Sequence, residues 1–292
     1  MKKVIAKNKF HYSALLLISI YGILLILGCT NSPLGEDIDS TTSTQLAGKV
    51  LLQDGESSEG VYVWLEGINV HTFADAAGQF QLELPPSNSG LANMTNGVFN
   101  LHFFVANYQL ATATVIVKDG EFVRSRGDVN SSGELIGTKS LVKLLNIGTE
   151  VEPGGVNTDF EGVVHVSVSL QALHDSITVI LPKLFSHFSD AVIIHNLSTD
   201  EAMVLMTEEH KPEFSTEKIG PDVRILQYDF YLRPGVVPAG KYEVVPFLLI
   251  LQDKLPTGLL KSLGAHVEEI STDFLKIPFR REGGRFEVNA RI

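Results

Sequence analysis

The chain has 292 residues, 44% of them apolar and 20% charged, with a formal net charge of −11. That composition excludes a wholly disordered or collagen-like chain. The single cysteine, Cys29, excludes an intramolecular disulfide framework and a multi-cysteine zinc site. An acidic balance also makes the chain a poor partner for nucleic acid.

The first 28 residues carry Lys2, Lys3, Lys7 and Lys9 and no acid. A largely apolar run follows over residues 14–27. As a helix it would reach about 21 Å. A membrane-spanning helix needs about 20 residues, so the run suits the hydrophobic region of a signal peptide over residues 1–28. It ends in Ile26-Leu27-Gly28-Cys29, which resembles a bacterial lipobox. Leu27 departs from it, because a small residue is usual there. The resemblance implies cleavage before Cys29, a diacylglycerol thioether on its sulfur and further acylation (palmitate or a similar chain). Two or three acyl chains give stable anchoring to the bacterial membrane. The alternative is an uncleaved anchor with an incidental cysteine. Thr30, rather than Asp, follows the cysteine and resembles the pattern for export to the outer rather than the inner membrane. Residues 29–43 are rich in Ser, Thr, Asp, Gly and Pro and read as a lipidated flexible tether.

From residue 44 the pattern changes to short apolar runs about ten residues apart. Gly48 to Leu52, Gly60 to Gly67, Val70 to Phe73, Gln79 to Leu84, Gly97 to Tyr108 and Ala111 to Val117 read as strands. Asp54-Gly55, Ala74 to Gly78, Pro85-Pro86 and Asp119-Gly120 read as turns or breaks. Such spacing predicts an antiparallel β-sandwich over residues 44–123. Gly48, Lys49 and Val50, then Gly60, Val61, Val63, Leu65 and Gly67, then Thr72, Ala74, Asp75, Gly78, Phe80, Leu82, Leu84 and Pro85 resemble the carboxypeptidase regulatory-like domain. Gly97, Phe99, Leu101, Phe103 and Tyr108 extend the match. This family is a transthyretin-like sandwich, and the resemblance implies a module that stabilises, spaces or binds rather than catalyses. The stretch after Pro86 is longer than usual, and Asn107 stands where a Gly often precedes the Tyr.

Alternation sends Val61, Val63 and Leu65 to one side of their strand and Tyr62, Trp64 and Glu66 to the other. The outward Tyr62–Trp64 pair has three readings, one of them plain solvent exposure without a role. Otherwise it packs against the second domain, as the rarity of large exposed apolar patches favours, or it is a stacking platform for a sugar ring or a peptide.

Residues 124–140 are polar and read as a linker. Arg126-Gly127-Asp128 is a chance tripeptide. Gly137-Thr138-Lys139-Ser140 lacks the glycine that a phosphate loop needs before its lysine. Asp128, Asn130, Ser132 and Gly133 resemble the first half of a calcium loop, but the twelfth position is Lys139 instead of an acid. An Asx-type turn is the favoured reading.

Residues 141–292 read as a second β-sandwich, of no recognised family. Val164 to Leu170 alternates strictly, and Ile177 to Leu181, Ala191 to His195, Ala202 to Met206, Asp222 to Leu232, Lys241 to Leu251, Phe274 to Phe279 and Arg285 to Ile292 follow. Only Thr257 to Leu263 looks helical. His210-Lys211-Pro212-Glu213 has the spacing of a zinc pair, but only His266 follows as a later histidine, and the surrounding runs read as strands. No Gly-x-Ser-x-Gly elbow occurs. The expectation is therefore an all-β, two-sandwich protein with no catalytic residues, no metal and no cofactor. It would be held at the cell envelope by lipid on Cys29 and act as a binding or structural module. Its partner would be another envelope protein or a polysaccharide. One alternative is an accessory subunit that holds a carbohydrate or peptide for an uptake or hydrolase system; another is an enzyme whose site within residues 141–292 carries no recognised motif.

Overall fold

β-branched and aromatic runs bounded by Gly, Asp and Pro form strands along the whole described chain. The structure, a computed structural model, describes residues 42–86, 96–182, 191–205 and 213–291. Cys29 and nearly all of the expected signal and tether segments lie outside them.

The first half contains β1 (Thr42–Ser43), β2 (Gln45–Leu52), β3 (Tyr62–Leu65), β4 (Val70–Phe73), β5 (Gln79–Glu83), β6 (Gly97–Phe104), β7 (Ala111–Lys118), β8 (Glu121–Val123) and β9 (Lys139–Leu141). One sheet has the order β1-β8-β7-β6-β3-β4 and the facing sheet β5-β2-β9. Leu46, Val50, Val63, Leu65, Phe103 and Val115 are wholly buried in the core of this half. The Ala74–Gly78 turn needs its glycine: Gly78 has φ +78°, and a Cβ there would collide with the Val50 carbonyl.

The stretch expected to be a linker is part of this sandwich. Val129 and Leu135 are buried in its core, and β9 pairs in parallel with β2. Its polar composition hid the two apolar side chains that anchor it.

The second half contains β10 (Leu145–Glu152), β11 (Gly155–Asn157), β12 (Gly162–Ala172), β13 (Ile177–Pro182), β14 (Val192–Asn196), β15 (Ala202–Leu205), β16 (Phe214–Ile219), β17 (Arg224–Gln227), β18 (Phe230–Leu232), β19 (Gly240–Pro246), β20 (Leu249–Ile250), β21 (Glu282–Gly283) and β22 (Arg285–Asn289). Its sheets run β17-β12-β10-β21, with β18 also on β12, then β11-β22-β19-β14-β15, then β16-β13-β20. Strand β12 keeps its expected alternation: Val164, Val166, Val168 and Leu170 are wholly buried. The run expected as one strand over residues 222–232 breaks into β17 and β18 around Tyr228, whose ring is buried and whose N–H donates to the Val166 carbonyl. Thr272–Lys276 is a 3-10 turn rather than part of a strand, because a short apolar run does not fix its own period. The expected helix is the single turn α1 (Leu259–Ser262).

Residues from Thr41 onward form one compact unit. The joint is made by the excursion between β20 and β21, which crosses the face of the first sheet. Gln252 Nε2 donates to the Ala106 and Tyr108 carbonyls at 3.0 Å each, and its Oε1 accepts the Leu110 N–H at 3.2 Å. The Ala106 N–H donates to the Pro278 carbonyl at 2.7 Å. Tyr62, Trp64, Phe104 and Ala106 thus belong to the same buried cluster as Leu259, Phe274 and Ile277.

Candidate functional site

Strand β3 places Tyr62 and Trp64 on the outer face of its sheet, as the alternation predicts, and the excursion covers them. Tyr62 is 0% and Trp64 4% exposed. The Tyr62 hydroxyl lies 2.9 Å from Ser262 Oγ on α1, and Trp64 Nε1 donates to Asn69 Oδ1 at 3.0 Å. The ring faces are spent on protein neighbours, so this pair offers no open platform to a sugar ring. The exposed aromatic surface has moved one strand outward. His71 and Phe73 on the edge strand β4 lie 5.4 Å and 5.3 Å from the Tyr62 ring, and Phe73 is 49% exposed.

Beside Trp64 lies a hydrogen-bonded chain that the sequence did not announce. His102 on β6 is opposite Trp64 on one side and Thr112 of β7 on the other. Its ring stacks on Trp64 at 5.7 Å. His102 Nε2 is 3.0 Å from Glu66 Oε2, and His102 Nδ1 is 3.2 Å from Thr112 Oγ1. With Nε2–H donating to the carboxylate, Nδ1 accepts the Thr112 hydroxyl proton. The hydrogen bond with His102 holds Glu66 below the usual carboxylate range. A hydroxyl, an imidazole and a carboxylate in a row share the composition of a hydrolase triad, with the two ring nitrogens in exchanged roles. Here the register supplies the row: three neighbouring positions on one sheet face satisfy one another around a buried imidazole.

A charged cluster closes the joint from the other side. Tyr108 Oη donates to Asp54 Oδ2 at 2.6 Å, Lys143 Nζ reaches the same oxygen at 3.1 Å, and Lys143 also pairs with Glu56. Burial pushes the Asp54 carboxyl up, but the hydrogen bonds from Tyr108, Lys143 and the Glu56 N–H outweigh it and leave the group below its ordinary value. Burial likewise pulls the Lys143 ammonium down, and its bonds to Glu56 and Asp54 reverse the sign. Arg280 Nη2 donates to the Ser57 carbonyl at 3.2 Å and to the Glu59 carbonyl. A polar crevice of about 140 Å³ borders Lys143, Ser169 and Arg280. Both cations there are already engaged. Nearby, Arg281 lies across the Phe274 and Phe279 rings at 5.8 and 5.2 Å, and its Nη1 is buried without a hydrogen-bond partner among the described residues. Burial lowers its pKa, with Glu243 opposing.

The loop that resembles half a calcium site is an Asx turn held by a lysine. Asn130 Oδ1 accepts the Ser132 and Glu134 N–H groups at 2.9 Å each. Asp128 Oδ2 accepts the Thr114 N–H at 2.9 Å and Lys139 Nζ at 3.3 Å. The residue in the twelfth position is therefore itself the counter-ion of the first. The Thr114 N–H, then burial opposing it and Lys139 assisting, leave Asp128 below its ordinary pKa.

The remaining histidines are scattered. His165 pairs with Asp229 at 3.0 Å and His195 with Asp200 at 2.7 Å, each on a separate sheet face. His187 and His210 lie outside the described residues, as do Lys211 and Pro212 of the zinc-like spacing. Among the described residues no three His, Cys, Asp or Glu side chains gather as metal ligands, and no helix is long and apolar enough to cross a membrane.

A groove of about 690 Å³ lies between the ends of β4 and β5, bordered by Glu59, Phe73, Asp75, Gln79, Phe80 and Gln81 among others. Sequence reasoning placed these residues in a turn and two strands but had no means of seeing that the strands part. No known protein family matches the chain, and no curated protein is significantly similar to it.

Proposed function

We propose that this protein is a lipid-anchored, non-catalytic module of the bacterial cell envelope, held through Cys29, in the outer rather than the inner membrane. Its work is to present a rigid surface to a partner. The observation that carries this reading is the joint: Tyr62, Trp64, Asn107 and Gln252 weld two β-sandwiches into one unit, as a spacer or presenting scaffold requires. The basic start, the apolar run and Gly28-Cys29 support the anchor. The resemblance of residues 44–123 to the carboxypeptidase regulatory-like domain supports a spacing or binding role without chemistry.

The test is fractionation of cells expressing the full chain or its Cys29→Ser variant, with mass spectrometry of the N-terminal peptide. Diacylated Cys29 and a membrane-bound chain are expected, with the variant unmodified and released or retained only as precursor. A variant that fractionates unchanged, in its cleaved form, would remove the anchor. A second reading, an accessory subunit holding a ligand for a partner system, is favoured by the open groove between β4 and β5.

A further inference from the structure

The groove is an unzipped hairpin. Asp75 N–H donates to the Gln79 carbonyl at 2.9 Å, and Asp75 Oδ1 accepts the Gln79 N–H at 2.8 Å, closing one rung beside the turn. The next rung would join Phe73 to Gln81, and it is missing. From there β4 turns away to pair with β3 in one sheet, and β5 pairs with β2 in the other. Each is the last strand of its sheet.

The ladder fixes which backbone groups are left over. Leu84 N–H bonds to the Thr44 carbonyl and Val50 N–H to the Gly78 carbonyl, so the alternate residues Phe80, Leu82 and Leu84 face β2. Gln79, Gln81 and Glu83 face outward. Asp75 uses the edge of Gln79; among the described residues, nothing pairs with the outward edges of Gln81 and Glu83. Likewise Ala74 bonds toward β3, through its N–H to the Val61 carbonyl and its carbonyl to the Gly60 N–H, which turns the edge of Phe73 outward. An unpaired edge is a template for another extended chain.

We propose that this groove takes an extended cationic peptide segment of a partner protein, added as a strand along Gln81 and Glu83. Main-chain bonds to the edge supply affinity, and alternate side chains supply specificity. One set of alternate side chains meets the half-exposed Phe73. The other meets carboxylates: the groove lining includes Glu59 and Asp75 and no Lys, Arg or His. This deepens the second reading above, since it names the ligand class for the same groove.

The probe is the capped peptide Lys-Val-Lys-Val-Lys, titrated into the full chain in detergent. Calorimetry and hydrogen exchange follow the binding, and mass spectrometry records the state of Cys29 in the same sample. Saturable binding with slowed exchange at Gln81 and Glu83 is expected. Binding falls at least tenfold for the peptide N-methylated on alternate amides, for Gln81→Pro, and for a Glu-Val-Glu-Val-Glu peptide, and falls several-fold for Glu59→Gln. Proline is compatible with the outer side of an edge strand, and the methylated peptide leaves the protein untouched. No saturation at millimolar peptide, or equal binding of the methylated peptide, overturns the proposal. Self-association that protects Gln81 without peptide overturns it in favour of a second copy. Binding with unmodified Cys29 would leave the groove standing and overturn the anchor; the reverse result would do the opposite.

Discussion

The side-chain amide of Asn107 reads the backbone of Arg280 as a neighbouring strand would: its Nδ2 donates to the Arg280 carbonyl at 2.9 Å and its Oδ1 accepts the Arg280 N–H at 2.9 Å. The same Nδ2 donates to the Leu145 carbonyl at 3.0 Å. One fully buried residue thus holds the first sandwich, the start of the second and the end of the crossing excursion. Replacing Asn107 by Ala strands three backbone groups, the Leu145 carbonyl buried and the two of Arg280 partly buried, and by Gly it strands them and loosens the chain. A loss of about 2–4 kcal/mol is expected for Asn107→Ala. Urea unfolding measures it, and a loss under half a kilocalorie would show that the amide is incidental.

The sole tryptophan is a reporter of the joint. Trp64 emission should be blue and weakly quenched by acrylamide in the native chain. Tyr62→Ala, which empties space beneath α1, should cost about 3–5 kcal/mol. Tyr62→Phe removes only the hydroxyl contact with Ser262 and should cost about 1 kcal/mol. A red, readily quenched native emission would refute the packing of Trp64.

Acid should weaken the fold through its partly buried, hydrogen-bonded carboxylates. Asp54, Glu66 and Asp128 are all held below their ordinary values. A group whose pKa is depressed on folding contributes stability that is present above its unfolded pKa and lost as pH falls through its folded pKa. Their contribution to the unfolding free energy should therefore be constant near neutrality and fall below about pH 4, near the unfolded carboxylate values. Glu66→Gln should shallow that fall. An unchanged acid slope in the variant would place the effect elsewhere.

Arg281 offers the opposite sign. Its guanidinium is buried against two rings, with one nitrogen that has no hydrogen-bond partner among the described residues. A buried charge of this kind is often replaceable by an apolar side chain of similar length. Arg281→Met should leave the melting temperature equal or higher. A drop of several degrees would show that the charge is needed, with Glu243 as its counterpart.

Calcium should do nothing to the native chain. Lys139 occupies the place of the ion at Asp128, so millimolar calcium or a chelator should leave the melting temperature unchanged. Lys139→Met should lower stability by about 0.5–1 kcal/mol, as expected for a partly exposed pair. Calcium stabilisation of the native chain would contradict the lysine staple.

Much of the fold was legible because alternation is local. Strand β12 shows its buried face in the order Val164, Val166, Val168, Leu170, and Val70 to Phe73 matches β4 residue for residue. What sequence could not show was which face meets what. Tyr62 and Trp64 point outward from β3 as read, and only the distant residues 251–281 decide that they are covered. Asn107 stood out as a departure from the pattern it resembles, and its reason lies 173 residues away at Arg280. The groove depends on where two strands separate, which no local period encodes. The polar stretch 124–140 misled because Val129 and Leu135 are too few to make a pattern.

The cation facing Asp128 is Lys139, a part of the chain itself. A bound ion is shared with the medium, and its occupancy rises and falls with what the surroundings supply. A counter-charge carried on the chain's own side chain has no such exchange. The corner where Asp128, Thr114 and β9 meet therefore keeps its shape in metal-poor water, in the presence of scavengers and through dilution.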